Sequence, residues 1–152
     1  MSEPTIFTMA SLRDAAGADL GVSGWIEISQ DRITAFAEAT EDRQWIHVDP
    51  QRAAEGPYGT TIAHGYLTLS LLPAIMREVF DISDASARIN YGLNKVRFPS
   101  PVPAGSRIRG RATIVSVDEV SGGLQVVIAT VVECEGSDKP ACIAESLVRA
   151  LA

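Results

Sequence analysis

The sequence contains few cysteines and few aromatic residues. Only two of its 152 residues are cysteines, Cys134 and Cys142, and their spacing fits neither a metal site nor a disulfide framework. We therefore expect two buried or half-buried thiols in a reducing cytoplasm. Aromatic residues make up 6% of the chain, but 46% of it is hydrophobic, which is too much for a disordered protein.

Long apolar runs and an excess of basic residues are also missing. No run reaches the ~18 apolar residues that a membrane span requires, and Met1–Ala10 lacks the regions of a signal peptide. The net charge of -6 argues against a nucleic-acid partner or an anionic membrane surface, because both need a basic excess. The sequence thus predicts a cytoplasmic protein with a single domain over residues 1–152.

The charge is unevenly distributed along the chain. Six of the 13 basic residues, and no acidic residue, lie in one segment: Arg88, Lys95, Arg97, Arg107, Arg109 and Arg111. The other segments therefore hold the remaining seven basic residues and all 19 acidic ones. This basic stretch is either a solvated face of a strand or a local binding site for an anion.

Short elements are predicted in the first half of the chain. Trp25–Ile28 has the composition of a strand, and Ser29 is a suitable N-cap for a helix that follows it. Asp49 and Pro50 indicate a second helix start, with the aspartate as N-cap and the proline in the first turn. Gly56–Pro57 is expected to end that helix.

The most pronounced element is the 17-residue segment from His64 to Phe80. Ten of its residues are apolar, and they occur on all sides of a helix, so we expect a buried helix of about 25 Å. Pro73 is expected to kink it, because a proline removes one backbone hydrogen bond.

After residue 88 the pattern becomes that of β-strands. The predicted strands are Ile89–Phe98, Arg107–Val117, Leu124–Cys134 and Ala141–Leu151, with a hairpin at Gly122–Gly123. The last three strands are joined by short turns and predict an antiparallel meander. A long apolar helix followed by a meander indicates an α+β fold in which a curved sheet wraps around the helix. Such a sheet leaves an edge or a face exposed, so we expect a dimer.

Both histidines of the chain lie between residues 37 and 72. Asp42 precedes His47 by five residues, and both are expected in a loop between helices, where catalytic groups concentrate. A carboxylate and an imidazole that share one water can form a general acid/base pair. This spacing alone favours the alternative, in which Asp42 is a helix-terminal loop residue and His47 a hydrogen-bonded structural histidine.

Gly65 lies where the long helix is expected to begin. A glycine here lets a ligand approach closely, and the N–H groups of the first turn can stabilise an oxyanion. Alternatively, Gly65 only permits tight packing at the helix entry. His64, beside it, is expected to be a cap or packing residue and not a catalyst.

Three segments resemble those of a known family. They are FAEATEDRQWIHVDPQRA (36–53), IAHGYL (62–67) and INYGLNKVRFPSPV (89–102). Together they resemble the MaoC-like dehydratases, which are (R)-specific enoyl-CoA hydratases with a hotdog fold, and most closely their NodN-like branch. The resemblance covers most of the chain. It implies one hotdog domain, usually a homodimer, with an antiparallel sheet wrapped around a long buried helix at about residues 64–80.

The resemblance also implies an activity, a hydro-lyase reaction of fatty acid metabolism. Asp42 and His47 would be the catalytic pair, and the Gly65 N–H would bind the thioester carbonyl. The implied reaction is the reversible syn addition of water to a trans-2-enoyl-CoA, which gives a (3R)-3-hydroxyacyl-CoA. CoA is part of this substrate, and neither a cofactor nor a metal is expected.

Further residues are assigned through the same resemblance. Gln44 and Trp45 stand where the commoner family motif has Asn-Pro, and they are expected at the acyl pocket, although Trp45 could simply pack. Arg97, Arg107 and Arg109 are expected to bind the phosphates of CoA.

Two alternative functions remain open. One is a non-catalytic acyl-thioester-binding hotdog subunit, although the presence of both Asp42 and His47 argues against it. The other is a hotdog acyl-CoA thioesterase, which usually needs an acidic residue on the long helix. The only acidic residue there is Glu78, in the last turn and remote from Gly65.

Overall fold

The computed structural model describes residues 3–152, which form six helices and eight strands. The strands are β1 Thr5–Phe7, β2 Asp19–Val22, β3 Ile26–Ile28, β4 Phe80–Ile82, β5 Ala87–Arg97, β6 Ser106–Val120, β7 Gly123–Cys134 and β8 Cys142–Leu151. The helices are α1 Met9–Leu12, α2 Gln30–Thr40, α3 Trp45–Val48, α4 Pro50–Ala54, α5 Gly65–Ser70 and α6 Leu72–Val79.

One six-stranded antiparallel sheet dominates the architecture. Its order is β2-β6-β7-β8-β5, and β3 pairs with the same long strand β6 as β2 does. The strands β6, β7 and β8 form the predicted meander, with Val120 paired to Gly123 across the first hairpin. β1 and β4 form a separate parallel pair. The pattern of the first 24 residues did not predict β1, α1 or β2.

The helix α6 packs on the inner face of this sheet. Ile108 and Ile114 of β6 are fully buried, and so is Ile75 of α6. A Cβ atom at Gly110 would lie 2.5 Å from the Cγ2 atom of Ile75, so only a glycine lets the helix approach the strand this closely. The predicted α+β layering, with the helix packed on one face of the sheet, is therefore present.

The predicted single helix over residues 64–80 is interrupted. α5 ends at Ser70, α6 begins at Leu72, and Leu71 lies between them. The break falls before Pro73, which occupies the first turn of α6, where its missing N–H leaves no internal bond unmade. At the break the Leu71 N–H donates to the carbonyl oxygen of Thr68, three residues earlier. This spacing is that of a 3₁₀ turn and not of an α-helix.

Burial on all sides of this segment was also predicted, and that prediction is wrong. Leu67, Leu72 and Met76 are buried, but Tyr66 is 69% exposed, and Arg77 is exposed as well. The apolar side faces the sheet, while the opposite side reaches the surface of the single chain. The composition did not distinguish these two sides, because apolar residues occur on both.

The predicted helix caps are confirmed. The side chain of Ser29 accepts a hydrogen bond from the N–H of Arg32 at the start of α2. The side chain of Asp49 accepts one from the N–H of Arg52 at the start of α4, with Pro50 in the first position. These caps fix the two ends of the segment that holds the site described below.

The two cysteines are free and buried, as predicted. Burial raises the pKa of the Cys142 thiol to about 11, and it also raises the pKa of Cys134. Among residues 3–152, no helix has both the length and the apolar character that crossing a bilayer demands.

Candidate active site

Asp42 lies in the short loop between α2 and α3, as predicted. The helix α2 ends at Thr40, and Glu41 then takes a left-handed backbone conformation with φ 64°. The Asp42 side chain is 51% exposed, and its Oδ1 atom accepts only a long contact of 3.5 Å from the Gln44 N–H. The loop itself therefore leaves the carboxylate largely unpaired and open to a ligand.

His47 is buried and lies on the short helix α3, whereas a loop was predicted for it. Its Nδ1 atom lies 2.7 Å from the carbonyl oxygen of Ile62. A carbonyl oxygen can only accept, so this contact assigns the proton to Nδ1 and leaves a free lone pair on Nε2. His47 thus presents a proton acceptor on the side away from Ile62.

A second contact fixes the backbone of His47. The side-chain amide of Gln30 donates from Nε2 to the backbone carbonyl oxygen of His47 at 2.8 Å, and the hydroxyl of Thr61 donates to the side-chain oxygen Oε1 of Gln30 at 2.5 Å. Gln30 and Thr61 are 17 and 14 residues from His47 along the chain, so no local pattern predicted their part in the site.

The surroundings of His47 favour its neutral form. Burial lowers the pKa of His47, and the nearby His64 lowers it further, while the contact with Ile62 and the charge of Asp42 raise it. The net direction is downward from the ordinary value of 6.5. A neutral imidazole is the form that accepts a proton at physiological pH.

Asp42, His47 and His64 converge at one place. A ligand atom of each lies within 4.8 Å of those of the other two. This spacing suits one water bridging the carboxylate and the His47 imidazole. The structure therefore brings Asp42 and His47 as close as an acid/base pair requires.

The same three side chains do not suit a metal ion. The rings of His47 and His64 are stacked, with centroids 3.8 Å apart and planes inclined by 24°. Lone pairs in nearly parallel planes cannot both point at one ion over the ~2.0–2.1 Å of a metal–imidazole bond. In addition, the Nε2 atom of His64 is occupied by the carbonyl oxygen of Asp42, at 2.9 Å.

Gly65 is the first residue of α5 and follows His64 directly. The first N–H groups of a helix have no acceptor within it, so the Gly65 N–H can serve a ligand beside His47. A Cβ atom at this position would lie 2.8 Å from the Cδ2 atom of Phe98. The absence of a side chain is therefore needed for packing as well, and the sequence did not identify Phe98.

Trp45 and Gln44 begin the helix α3. The guanidinium of Arg52 covers the Trp45 ring, 4.3 Å from the ring centroid. A Cβ atom at Gly56 would lie 3.1 Å from the Cζ3 atom of the same ring. Trp45 thus packs between these residues, which is the second of its two predicted roles. Gln44 is exposed, and its side chain makes no capping bond to α3.

The arginines of β6 lie on the outer face of the sheet. Arg107 is paired with Glu135, at 2.5 and 2.8 Å, and Arg109 is paired with Glu133, at 2.8 Å. Both guanidinium groups also flank the ring of Trp25. Their charges are compensated, and they point away from the helix-bearing side, so the structure favours a solvated strand face for these two residues.

Arg97 differs from them. It is the last residue of β5, it is exposed, and its only hydrogen bond within the described chain goes to the carbonyl oxygen of its neighbour Val96. It directly precedes Phe98, whose ring covers Gly65. Of the three arginines predicted to bind phosphate, Arg97 alone is connected to the start of α5.

The chain is similar to known proteins along most of its length. The model of the MaoC-like domain matches residues 12–136. The chain is 52% identical over 149 residues to 3-hydroxyacyl-thioester dehydratase Z of Mycobacterium tuberculosis (strain ATCC 25618 / H37Rv), an alignment that covers 97% of this chain and 99% of the relative. It is 45% identical over 141 residues to Nodulation protein N of Rhizobium leguminosarum bv. viciae, covering 90% of this chain and 87% of the relative.

A solved structure supports the fold independently. The R-hydratase PhaJ1 from Pseudomonas aeruginosa in the unliganded form superposes with a TM-score of 0.77 at 23% identity, over 99% of this chain and 89% of that one. The predicted hotdog fold is thereby confirmed. Since the family model and relatives above 40% identity extend over most of its length, this chain belongs to the MaoC-like domain family.

Proposed function

We propose that this chain is an (R)-specific enoyl-CoA hydratase, which in the reverse direction is a (3R)-3-hydroxyacyl-CoA dehydratase. The observation that carries the proposal is the convergence of the Asp42 carboxylate and the buried His47 imidazole at the start of α5. The relative from Mycobacterium tuberculosis is named a 3-hydroxyacyl-thioester dehydratase, and the chain covers nearly all of it. The activity is that of a hydro-lyase.

The two side chains would act on a single water. Asp42 and His47 hold it between them, and its oxygen adds to Cβ of the enoyl thioester while the free lone pair of His47 Nε2 accepts one of its protons. The resulting enolate then takes a proton at Cα from the same pair. Both additions occur on one face of the double bond, which makes the addition syn, and the pair returns to its initial protonation state.

Gly65 would stabilise the negative charge that develops on the thioester oxygen. Its N–H lies at the beginning of α5, where it has no intrahelical acceptor and where the helix dipole favours negative charge. Losing one such donor typically costs ~3 kcal/mol of transition-state stabilisation. The Phe98 ring, which lies against Gly65, would then border the bound thioester.

The CoA portion needs a cation beyond this pocket, and Arg97 is our candidate. It is exposed and uses one N–H on the neighbouring Val96 carbonyl, which leaves most of its donors available for a phosphate. Arg107 and Arg109 are left out of this role because glutamates already occupy them.

A homodimer is part of the proposal. β5 lies at the edge of the sheet, and it exposes Ile89, Tyr91 and Leu93 by 46, 56 and 45%. Beside it, a groove of about 710 Å³ runs along α6 and is lined by Leu72 and Met76. A second copy that pairs its own β5 antiparallel to this strand would satisfy the edge backbone and cover the apolar side chains. We also propose a cytoplasmic location, which suits the two free thiols.

The thioesterase alternative finds no support in the long helix. Its acidic residue, Glu78, accepts a hydrogen bond of 2.7 Å from the N–H of Gly24 and so holds the turn between β2 and β3. A side chain in that role is not available to attack a thioester carbonyl or to activate water there.

The test is hydration of crotonyl-CoA and of a longer trans-2-enoyl-CoA, followed by loss of the enoyl absorbance. We expect Asp42→Asn and His47→Ala each to lower kcat by about 100-fold or more. Glu41→Gln, which removes the exposed neighbouring carboxylate, is the matched control and should retain the wild-type rate. Undiminished hydration in both site variants would refute the mechanism, and release of free CoA thiol without hydration would support the thioesterase.

A further inference from the structure

His64 is a buried polar side chain beside the site and has no assigned part in the reaction. It is 2% exposed and lies between the ring of Phe36, with centroids 4.9 Å apart, and the ring of His47, at 3.8 Å. As predicted, it occupies the N-cap position of α5, but its side chain makes no capping hydrogen bond. Its polar atoms are therefore directed elsewhere.

Those atoms are used unequally. The Nε2 atom lies 2.9 Å from the carbonyl oxygen of Asp42, and because a carbonyl only accepts, Nε2 carries the proton. The Nδ1 atom is buried and has no hydrogen-bond partner within the described residues. A phenylalanine would fill this space without leaving a nitrogen unpaired. The specific contribution of the histidine is thus its N–H bond to Asp42.

Apart from the exposed ion pair between Arg43 and Glu38, the Asp42 loop has few other anchors. Glu41 is in a left-handed conformation, and the contact of the Asp42 carboxylate with the Gln44 N–H is 3.5 Å long. His47, in contrast, is held from two sides by Ile62 and Gln30. The position of Asp42 relative to His47 is therefore determined mainly by the residue that contacts both.

We infer that His64 is a positioning residue. Its ring stacks on His47 while its Nε2–H holds the backbone of Asp42, so the carboxylate and the imidazole stay at the spacing of one bridging water. His64 does not exchange a proton with substrate in this role. The inference rests on the proposed hydratase function and adds to it the residue that sets the geometry of the pair.

Two substitutions separate the hydrogen bond from the stacking. His64→Phe keeps an aromatic ring against His47 and loses the donor, whereas His64→Gln loses the ring and keeps an N–H at a similar reach. We expect His64→Phe to lower kcat for crotonyl-CoA hydration about 10- to 100-fold, as misplacement of a catalytic group by ~1 Å does. KM should stay within about twofold, because no substrate contact is removed. His64→Gln should keep most of the wild-type kcat, because it retains an N–H donor for the Asp42 carbonyl.

Phe36→Leu provides the matched packing control, because it alters the other side of the His64 ring and leaves the bond to Asp42 in place. Its kcat should remain close to that of the wild type. If His64→Phe does not fold, His64→Met, which fills the space without a donor, takes its place in the comparison with His64→Gln.

The outcomes are distinguishable. A wild-type protein that hydrates no enoyl-CoA refutes the proposed function, and the inference falls with it. An active wild type with an unchanged kcat in His64→Phe refutes the positioning role alone. Equal losses in His64→Gln and His64→Phe, or a rise in KM without a fall in kcat, also overturn it.

Discussion

The imidazole rings of His47 and His64 are stacked 3.8 Å apart, and the Nε2 atom of His64 reaches the backbone of Asp42. This stack joins two motifs that are separated in the sequence. Asp42 and His47 come from the loop and short helix after α2, while His64 and Gly65 come from the start of α5. The proposed acid/base pair and a helix N-terminus thereby meet at one place, which is what hydration of an enoyl thioester demands.

The pKa of His47 should depend on Asp42 in a defined direction. The carboxylate raises the pKa of the buried imidazole, so Asp42→Asn should lower it. The chain has only two histidines, so their ring protons can be followed separately by NMR during a pH titration. In the wild type we expect the midpoint for His47 below 6.5, and in Asp42→Asn a still lower midpoint. A higher midpoint in the variant would mean that the carboxylate does not face the ring.

The same titration predicts the pH dependence of the reaction. His47 accepts a proton only when it is neutral, and it becomes protonated as the pH falls through its depressed pKa. The acid limb of kcat/KM that is due to His47 should therefore lie below pH 6.5, with activity maintained above it. A limb from His47 above pH 6.5 would contradict the burial of this residue.

Local patterns predicted the elements better than the contacts between them. The caps at Ser29 and Asp49 and the three-stranded meander follow from short-range chemistry, and the structure contains all of them. The kink was predicted at Pro73, but the helix is interrupted at Leu71, because a proline fits the first turn of a new helix as readily as it kinks an existing one. Proline alone does not distinguish these two arrangements.

Candidate site residues that lie in a motif were proposed from the sequence. Residues that reach the site only through tertiary contacts were missed. Asp42, His47 and Gly65 belong to the segments that resemble the family. Phe98 also lies in such a segment, but nothing in the sequence placed its ring against Gly65. Gln30 lies outside these segments, and no periodicity or spacing relates it to the site. The charge of the arginines on β6 could be counted from the sequence, but their glutamate partners on β7 became evident only from the strand register.

Gly65 should tolerate alanine poorly because of Phe98. A Cβ atom 2.8 Å from the ring forces the phenylalanine to move, and overpacking of this kind typically costs ~1–3 kcal/mol in the free energy of unfolding. Denaturant unfolding measures this cost, and the double variant Gly65→Ala/Phe98→Leu should recover much of it. Because alanine keeps the backbone N–H, hydratase activity should return with the packing. Activity that stays low in a restored fold would mean that the Cβ atom itself blocks the substrate.

Arg97 should contribute to binding of CoA esters, whereas Arg107 should not. Arg97→Glu places a negative charge beside the proposed phosphate site, so KM for the enoyl-CoA should rise, and more at low ionic strength than at high. Arg107→Glu is the matched charge reversal on the outer face of the sheet, where it removes the pair with Glu135 and the contact with Trp25. Steady-state kinetics at two salt concentrations provide the comparison. Equal increases in both variants would point to a nonspecific effect of net charge.

The edge strand β5 should determine the oligomeric state. Replacing Tyr91 or Leu93 with lysine puts a charge on the exposed apolar face of this strand and should dissociate the proposed dimer, because burying an unpaired charge is costly. Light scattering after size exclusion measures the mass directly, and we expect a change from twice the chain mass to the chain mass. The matched control is Val115→Lys, an exposed apolar residue on β6 at 48% exposure, which lies away from that edge and should leave the dimer intact. A β5 variant that keeps the wild-type mass would show that the copies associate through another surface.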